Sequence, residues 1–100
     1  AGKDVPSWAD DEKTIPELKA RIAKTLDFVK GIAASDVDGS ETRDISLKVA
    51  GQAMEFKGQP YLVHFVLPNF YFHCTTAYDI LRHCGIELGK RDFMGTPVQM

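Results

Sequence analysis

Apolar residues recur with helical spacing along two stretches of the chain and with alternating spacing along a third. Leu18, Ile22, Leu26, Val29 and Ala33 follow one another at steps of four and three, which lays one apolar stripe along a helix. Lys19, Arg21, Lys24, Asp27 and Lys30 fall mostly off that stripe. Thr14-Ile15-Pro16-Glu17 has capping-box spacing, in which a Thr hydroxyl and a Glu three residues on satisfy orphan N–H groups reciprocally. Pro16 is tolerated there because the first turn donates no intrahelical bonds. The pattern predicts a helix over residues 14–34, ending between Gly31 and Ser35. Residues 1–13 form a polar lead-in whose one large apolar side chain, Trp8, is expected to dock it onto a neighbouring surface.

Residues 44–57 carry the alternation of a β-hairpin. Ile45, Leu47 and Val49 alternate with Ser46 and Lys48, Met54 and Phe56 alternate with Glu55 and Lys57, and Ala50-Gly51-Gln52 stands between as a turn. An isolated hairpin is marginal, so its apolar face is expected against a helix. A second helix is predicted over residues 59–84. Gly85 is its left-handed C-cap, and Ile86 supplies the apolar contact of a Schellman ending. Pro68 removes a backbone bond and crowds the His64 carbonyl, which predicts a kink or break there. Residues 86–100 read as a tail packed back on the helices and fraying beyond Gly95.

The apolar residues between Tyr61 and Phe72 cover nearly the whole circumference of the second helix. A helix apolar all round belongs in a core. One amphipathic helix and one hairpin cover only part of it, so the chain reads as a mainly helical half-bundle that needs another partner. The stretch is about a dozen residues long and holds His64, Pro68 and Asn69, short of the roughly 20 apolar residues of a membrane span.

Charge and cysteine content narrow the function classes. The 100 residues make one domain at most, with a net charge of -2 and no basic patch for nucleic acid or an anionic membrane. The N-terminus lacks the apolar core of a signal peptide, and its lack of Met suggests a piece of a longer protein. Cys74 and Cys84 lie about 15 Å apart if one helix carries both, beyond the roughly 7 Å that a disulfide spans. Free thiols fit a reducing cytoplasm.

Candidate chemistry is sparse. In Asp36-Val37-Asp38-Gly39-Ser40-Glu41 the sixth position is Glu41 where a calcium loop needs Gly, and the twelfth is Leu47 where it needs Glu, so the segment reads as an acidic loop. His64, His73 and His83 have no four-residue pairing, and each reads as a hydrogen-bonded side chain at a helix contact. His73-Cys74 and His83-Cys84 lie too far apart along one helix to share an ion. Asn69 and His73 are the four-spaced polar pair with ligand-capable atoms. The competing structural reading has Asn69 satisfying carbonyls freed by Pro68. Asp79 with His83 and Tyr78 with Arg82 are surface pairs of the usual weak kind. Gly89-Lys90-Arg91 lacks the upstream glycine of a phosphate loop.

Longer runs carry a resemblance. Gln59-Pro60-Tyr61-Leu62-Val63-His64-Phe65, Leu67-Pro68-Asn69-Phe70-Tyr71-Phe72-His73, Ala77-Tyr78-Asp79-Ile80-Leu81-Arg82-His83 and Leu88-Gly89-Lys90-Arg91-Asp92-Phe93 resemble an uncharacterised bacterial and fungal family. The resemblance extends to Val5-Pro6-Ser7-Trp8, the first helix and the hairpin. The family is placed in the DinB/YfiT-like superfamily, whose members are regarded as metalloenzymes. The resemblance implies the C-terminal half of a four-helix bundle: two long antiparallel helices with a β-hairpin between them. The uncovered apolar surface of the second helix, taken with that bundle, leads to the expectation that a second copy completes it through a two-fold axis. Tyr61, Phe65, Phe72 and Ile80 are the candidate shared core, with Phe70 or Tyr71 on the flank.

The superfamily holds a metal through three histidines, two of them as His-x-x-x-His on the last helix, and some members use thiol cofactors such as bacillithiol or mycothiol. Here the four-spaced pair reads Asn69-x-x-x-His73, a departure that degrades the site. Any transition-metal site, zinc or nickel in the full-length family, would involve His73 and Asn69 with His64 near. No bound metal or other cofactor is expected in this chain. The expected partner is the chain itself, as a homodimer or higher oligomer, with no nucleic acid and no membrane. The leading expectation is a bundle protein without catalysis of its own. The alternative is a metal-dependent, thiol-cofactor-linked transferase or isomerase.

Overall fold

The structure, a computed structural model, describes residues 1–97. It is mainly helical with one two-stranded antiparallel sheet. The chain divides into two compact units, the first ending at Arg43 and the second beginning at Asp44.

The first unit holds helix α1 (Ile15–Lys30) and the short helix α2 (Ala34–Val37). The capping box is present: the Glu17 N–H donates to the Thr14 hydroxyl, and the Thr14 N–H donates to the Glu17 carboxylate at 2.8 Å. The Lys13 N–H first, then the Thr14 hydroxyl and N–H, hold the Glu17 carboxyl below its ordinary pKa by stabilising its charge. One helical turn, α2, forms where an acidic loop is expected. Its start is explained locally, since the Asp36 carboxylate accepts the Ala33 N–H at 3.1 Å. Lys3, 3.1 Å from Asp36, is the main cause of that carboxyl's lowered pKa, followed by the Ala33 N–H.

The lead-in runs back beside α1. Trp8 lies 4.5 Å, ring centroid to Nζ, from Lys24 and 5.6 Å from the Arg21 guanidinium, both cation–π contacts. Arg21 also donates to the Ala9 carbonyl at 2.6 Å and to Glu12 at 2.9 Å, and it pairs with Asp10. Trp8 therefore docks on the charged flank of α1. Within the first unit nothing covers the apolar stripe, and Ile22 is 58% and Val29 56% exposed.

In the second unit, β1 (Asp44–Val49) pairs with β2 (Gln52–Lys57), with Ile45 opposite Phe56 and Leu47 opposite Met54. Ala50 and Gly51 alone make the turn, at φ 49° and 83°. Two positive values suit a type I′ hairpin turn, whose twist matches the strands and whose preferred sequence is Asn-Gly. Ala50 carries a Cβ in a left-handed conformation that Asn tolerates better. Ala50→Asn is expected to stabilise the chain by about 0.5–1 kcal/mol. A urea midpoint that stays put or falls would contradict this reading of the turn.

Helical backbone continues without interruption over residues 58–83. A single turn, α3 (Gly58–Pro60), leads into a π-helical segment (Tyr61–Val66) and then α4 (Leu67–His83). The Leu67 N–H reaches the Leu62 carbonyl, five residues back. The segment ends just before Pro68, which has no N–H and whose ring would crowd the carbonyl four residues behind it. A π-turn is wider than an α-turn, so the proline is absorbed within a continuous helical run. The helix ends as a Schellman motif, with the Ile86 N–H on the Leu81 carbonyl, the Gly85 N–H on the Arg82 carbonyl, and Gly85 at φ 89°.

Helix α5 (Lys90–Met94) follows, its Gly89 N–H held by the Asp92 carboxylate at 2.8 Å. The expectation of fraying beyond Gly95 falls largely on residues 98–100, which lie outside the described residues. Among the described residues no helix is long and apolar enough to cross a membrane.

Candidate functional site

Chemistry-bearing side chains of the second unit gather on its long helix. Tyr61, Phe65, Asn69, His73 and Ala77 follow one another at steps of four, and all five line one open groove of about 500 Å³. In a pure α-helix a step of four overshoots a full turn, so such a series winds round the axis. Across the wider π-turn a step of four falls short instead, which offsets the drift. Val66, Phe70 and Cys74 complete the groove.

A second groove of about 420 Å³ shares Phe70, Cys74 and Ala77 with the first and is walled by Leu81, Leu88 and Phe93. There the Tyr78 ring meets Phe93 edge-on at 5.6 Å. The Tyr78 hydroxyl accepts from Arg82 at 3.2 Å and donates to the Leu88 carbonyl at 3.5 Å. The four-spaced pair Tyr78 and Arg82 thus anchors the segment that returns to α4. Among the described residues Asp79 and His83 share no hydrogen bond.

Asn69 and His73 are brought to the same groove as Tyr61 and Phe65. His64, Phe72 and Ile80 line neither groove. Asn69 is exposed, and among the described residues its side chain makes no hydrogen bond, so it does not serve the carbonyls that Pro68 leaves free. Cys74 is half-buried and Cys84 exposed, both as free thiols. Ala77 and Val66 are absent from the sequence-based candidates, and Cys74 enters them only through the His73-Cys74 dipeptide, although the four-residue series running from Tyr61 passes through Ala77 and alongside the other two.

A three-histidine metal set does not fit these residues. The groove offers one imidazole, one amide oxygen and the Cys74 thiol, and among the described residues no three His, Cys, Asp or Glu side chains come together to hold an ion. The groove's walls are chiefly aromatic and aliphatic, which suits packing against another helix better than orienting a polar substrate.

Residues 1–94 match the family described as Domain of unknown function (DUF1993). The chain belongs to that family. A crystal structure of a DinB family member protein from Shewanella denitrificans is similar at 37% identity with a TM-score of 0.83. The similarity covers 95% of this chain and 53% of that one, so the DUF1993 chain spans about half the length of its structural neighbour. No curated protein matches it. The fold is therefore DinB-like, and the grooves belong to one of its long helices.

Proposed function

We propose that this DUF1993 chain is one half of a DinB-like four-helix bundle, that a second copy completes the bundle, and that the chain performs no chemistry of its own. One observation carries the reading: among the described residues of either unit none is buried, although the α1 stripe and the grooves of the long helix are apolar. Domains need at least two packed layers around a core. Two-fold pairing is the commonest way for identical chains to supply the second layer. A second copy also brings about as much chain as the DinB family neighbour has beyond the matched part. Tyr61 and Phe65 face the partner in this reading, while Phe72 and Ile80 are left for the adjoining helices.

The alternative, a metal-dependent and thiol-cofactor-linked transferase or isomerase, has only the shared groove of Asn69 and His73 in its favour. One purified sample tests both readings. Sedimentation equilibrium is expected to return twice the chain mass, with a large apolar interface above roughly 2,000 Å² in total. Elemental analysis of that sample is expected to find no stoichiometric zinc or nickel. A well-folded monomer at micromolar concentration would sink the half-bundle. Stoichiometric metal that is lost on His73→Ala would favour the enzyme.

A further inference from the structure

We infer that the second copy lies antiparallel along the groove between Tyr61 and Ala77, in a register that seats Phe65 on Cys74 of the other chain and brings Asn69 beside the two-fold axis. This rests on the half-bundle reading and adds to it a face, a direction and a register.

Side-chain size is unevenly distributed along the groove. The groove is bulky at its N-terminal end, with Tyr61 and Phe65, and small at its C-terminal end, with Cys74 and Ala77. A two-fold contact is isologous: if position i meets position j, then j meets i. For two antiparallel copies of one helix this fixes a midpoint. Placed between Asn69 and Phe70, it stands Phe65 opposite Cys74, Val66 opposite His73, and Tyr61 opposite Tyr78, one residue from Ala77. At its central contact a large ring, Phe65, then meets a small side chain, Cys74, the arrangement that lets facing layers interdigitate at native density. Parallel pairing would set Phe65 on Phe65 and leave a void between paired cysteines. Moving the antiparallel register by one turn, toward the N-terminal end, sets Phe65 on Phe70.

Asn69 supports the same midpoint independently. It is the one amide in an otherwise largely apolar groove, and among the described residues its side chain makes no hydrogen bond. An amide carries donors and an acceptor, so two copies beside an axis satisfy each other reciprocally. A polar residue in an apolar helix seam specifies register and orientation, and Asn69 shares this groove with the His73 imidazole.

The test is disulfide trapping in the full chain. Phe65→Cys is combined with Cys84→Ser, which leaves Cys74 as the sole native thiol, and the protein is treated with diamide, which takes up the two protons and two electrons released. Positions 65 and 74 of one helix are about 13 Å apart, beyond the roughly 7 Å reach of a disulfide, so a bond between them joins two chains. The expected result is a covalent dimer whose peptide map links position 65 to Cys74, and which is lost on Cys74→Ser. Ile80→Cys, outside the groove, is expected to give no bond to Cys74.

A volume exchange reads the same contact without oxidation. Cys74→Phe alone should weaken dimerisation by about tenfold or more through overfilling, and adding Phe65→Cys should restore it. If the wild-type chain sediments as a dimer and the cross-link is absent or maps elsewhere, the register is overturned while the half-bundle stands. A monomeric wild type removes both. Should the exchanged chain fail to fold, the cross-link decides alone.

Discussion

A hundredfold dilution is expected to lower the melting temperature of this DUF1993 chain by roughly 5–10 °C. The expectation follows from the exposure of its apolar faces. In neither unit is any described residue buried, and Phe70 and Leu81, both lining the grooves of the long helix, are 57% and 50% exposed. A helix pattern of this kind gains most of its stability from packing rather than from propensity. If that packing comes from a second copy, folding and association are one equilibrium. A hundredfold change in concentration is then worth about 2.7 kcal/mol. A pair of chains of this length shifts by about 2–4 °C per kcal/mol, which gives the stated range. Differential scanning calorimetry across that dilution range is the measurement. A melting temperature that does not move, together with a monomeric mass, would show that the apolar faces are tolerated without a partner.

The parts of this fold legible in the sequence are those decided within a few residues. Thr14 and Glu17 announce the start of α1 because a capping box is a three-residue affair, and Gly85 with Ile86 announces the Schellman ending for the same reason. The alternation around Gly51 gives the hairpin, but the turn is one residue shorter than Ala50-Gly51-Gln52 implies. Nothing about an alanine signals a positive φ; the strand twist imposes it. Pro68 signals a missing bond, yet not how the backbone absorbs it, because a kink, a break and a π-turn all satisfy the same local steric demand.

The candidate site divides in the same way. The four-residue spacing places Asn69 and His73 on one face from the sequence alone. That His64 lines neither groove follows only from the observed backbone. Sequence reasoning favours bulky side chains as core, which passes over Cys74 and Ala77. Their smallness is what makes the floor of the groove, and a pattern of apolar positions does not register depth.

Phe56→Ala is expected to cost about 2 kcal/mol per chain, below the roughly 3–5 kcal/mol of a fully buried phenylalanine. Phe56 is half-buried on β2, and its ring centroid stands 5.5 Å from both Tyr61 and Phe65. Tyr61 and Phe65 stack on each other at 5.6 Å, so the three rings form one cluster that ties the hairpin to the π-helical segment. Aromatic pairs contribute about 0.5–1.5 kcal/mol beyond the area they bury, and removing Phe56 takes away two of the three pairs. The hairpin is the second effect. Two strands without a supporting face are marginal in water, so loss of Phe56 also loosens the ladder from Asp44 to Lys57. Urea melts at one fixed protein concentration give the stability change, and amide exchange at Leu47 and Met54 reports whether the ladder opens with it. A loss below roughly 0.5 kcal/mol would place the ring cluster outside the structure's energetic centre, since partly exposed aromatics that hold nothing together cost about that little. Exchange that quickens in the hairpin alone would instead locate the effect in β1 and β2, with the long helix keeping its stability without them.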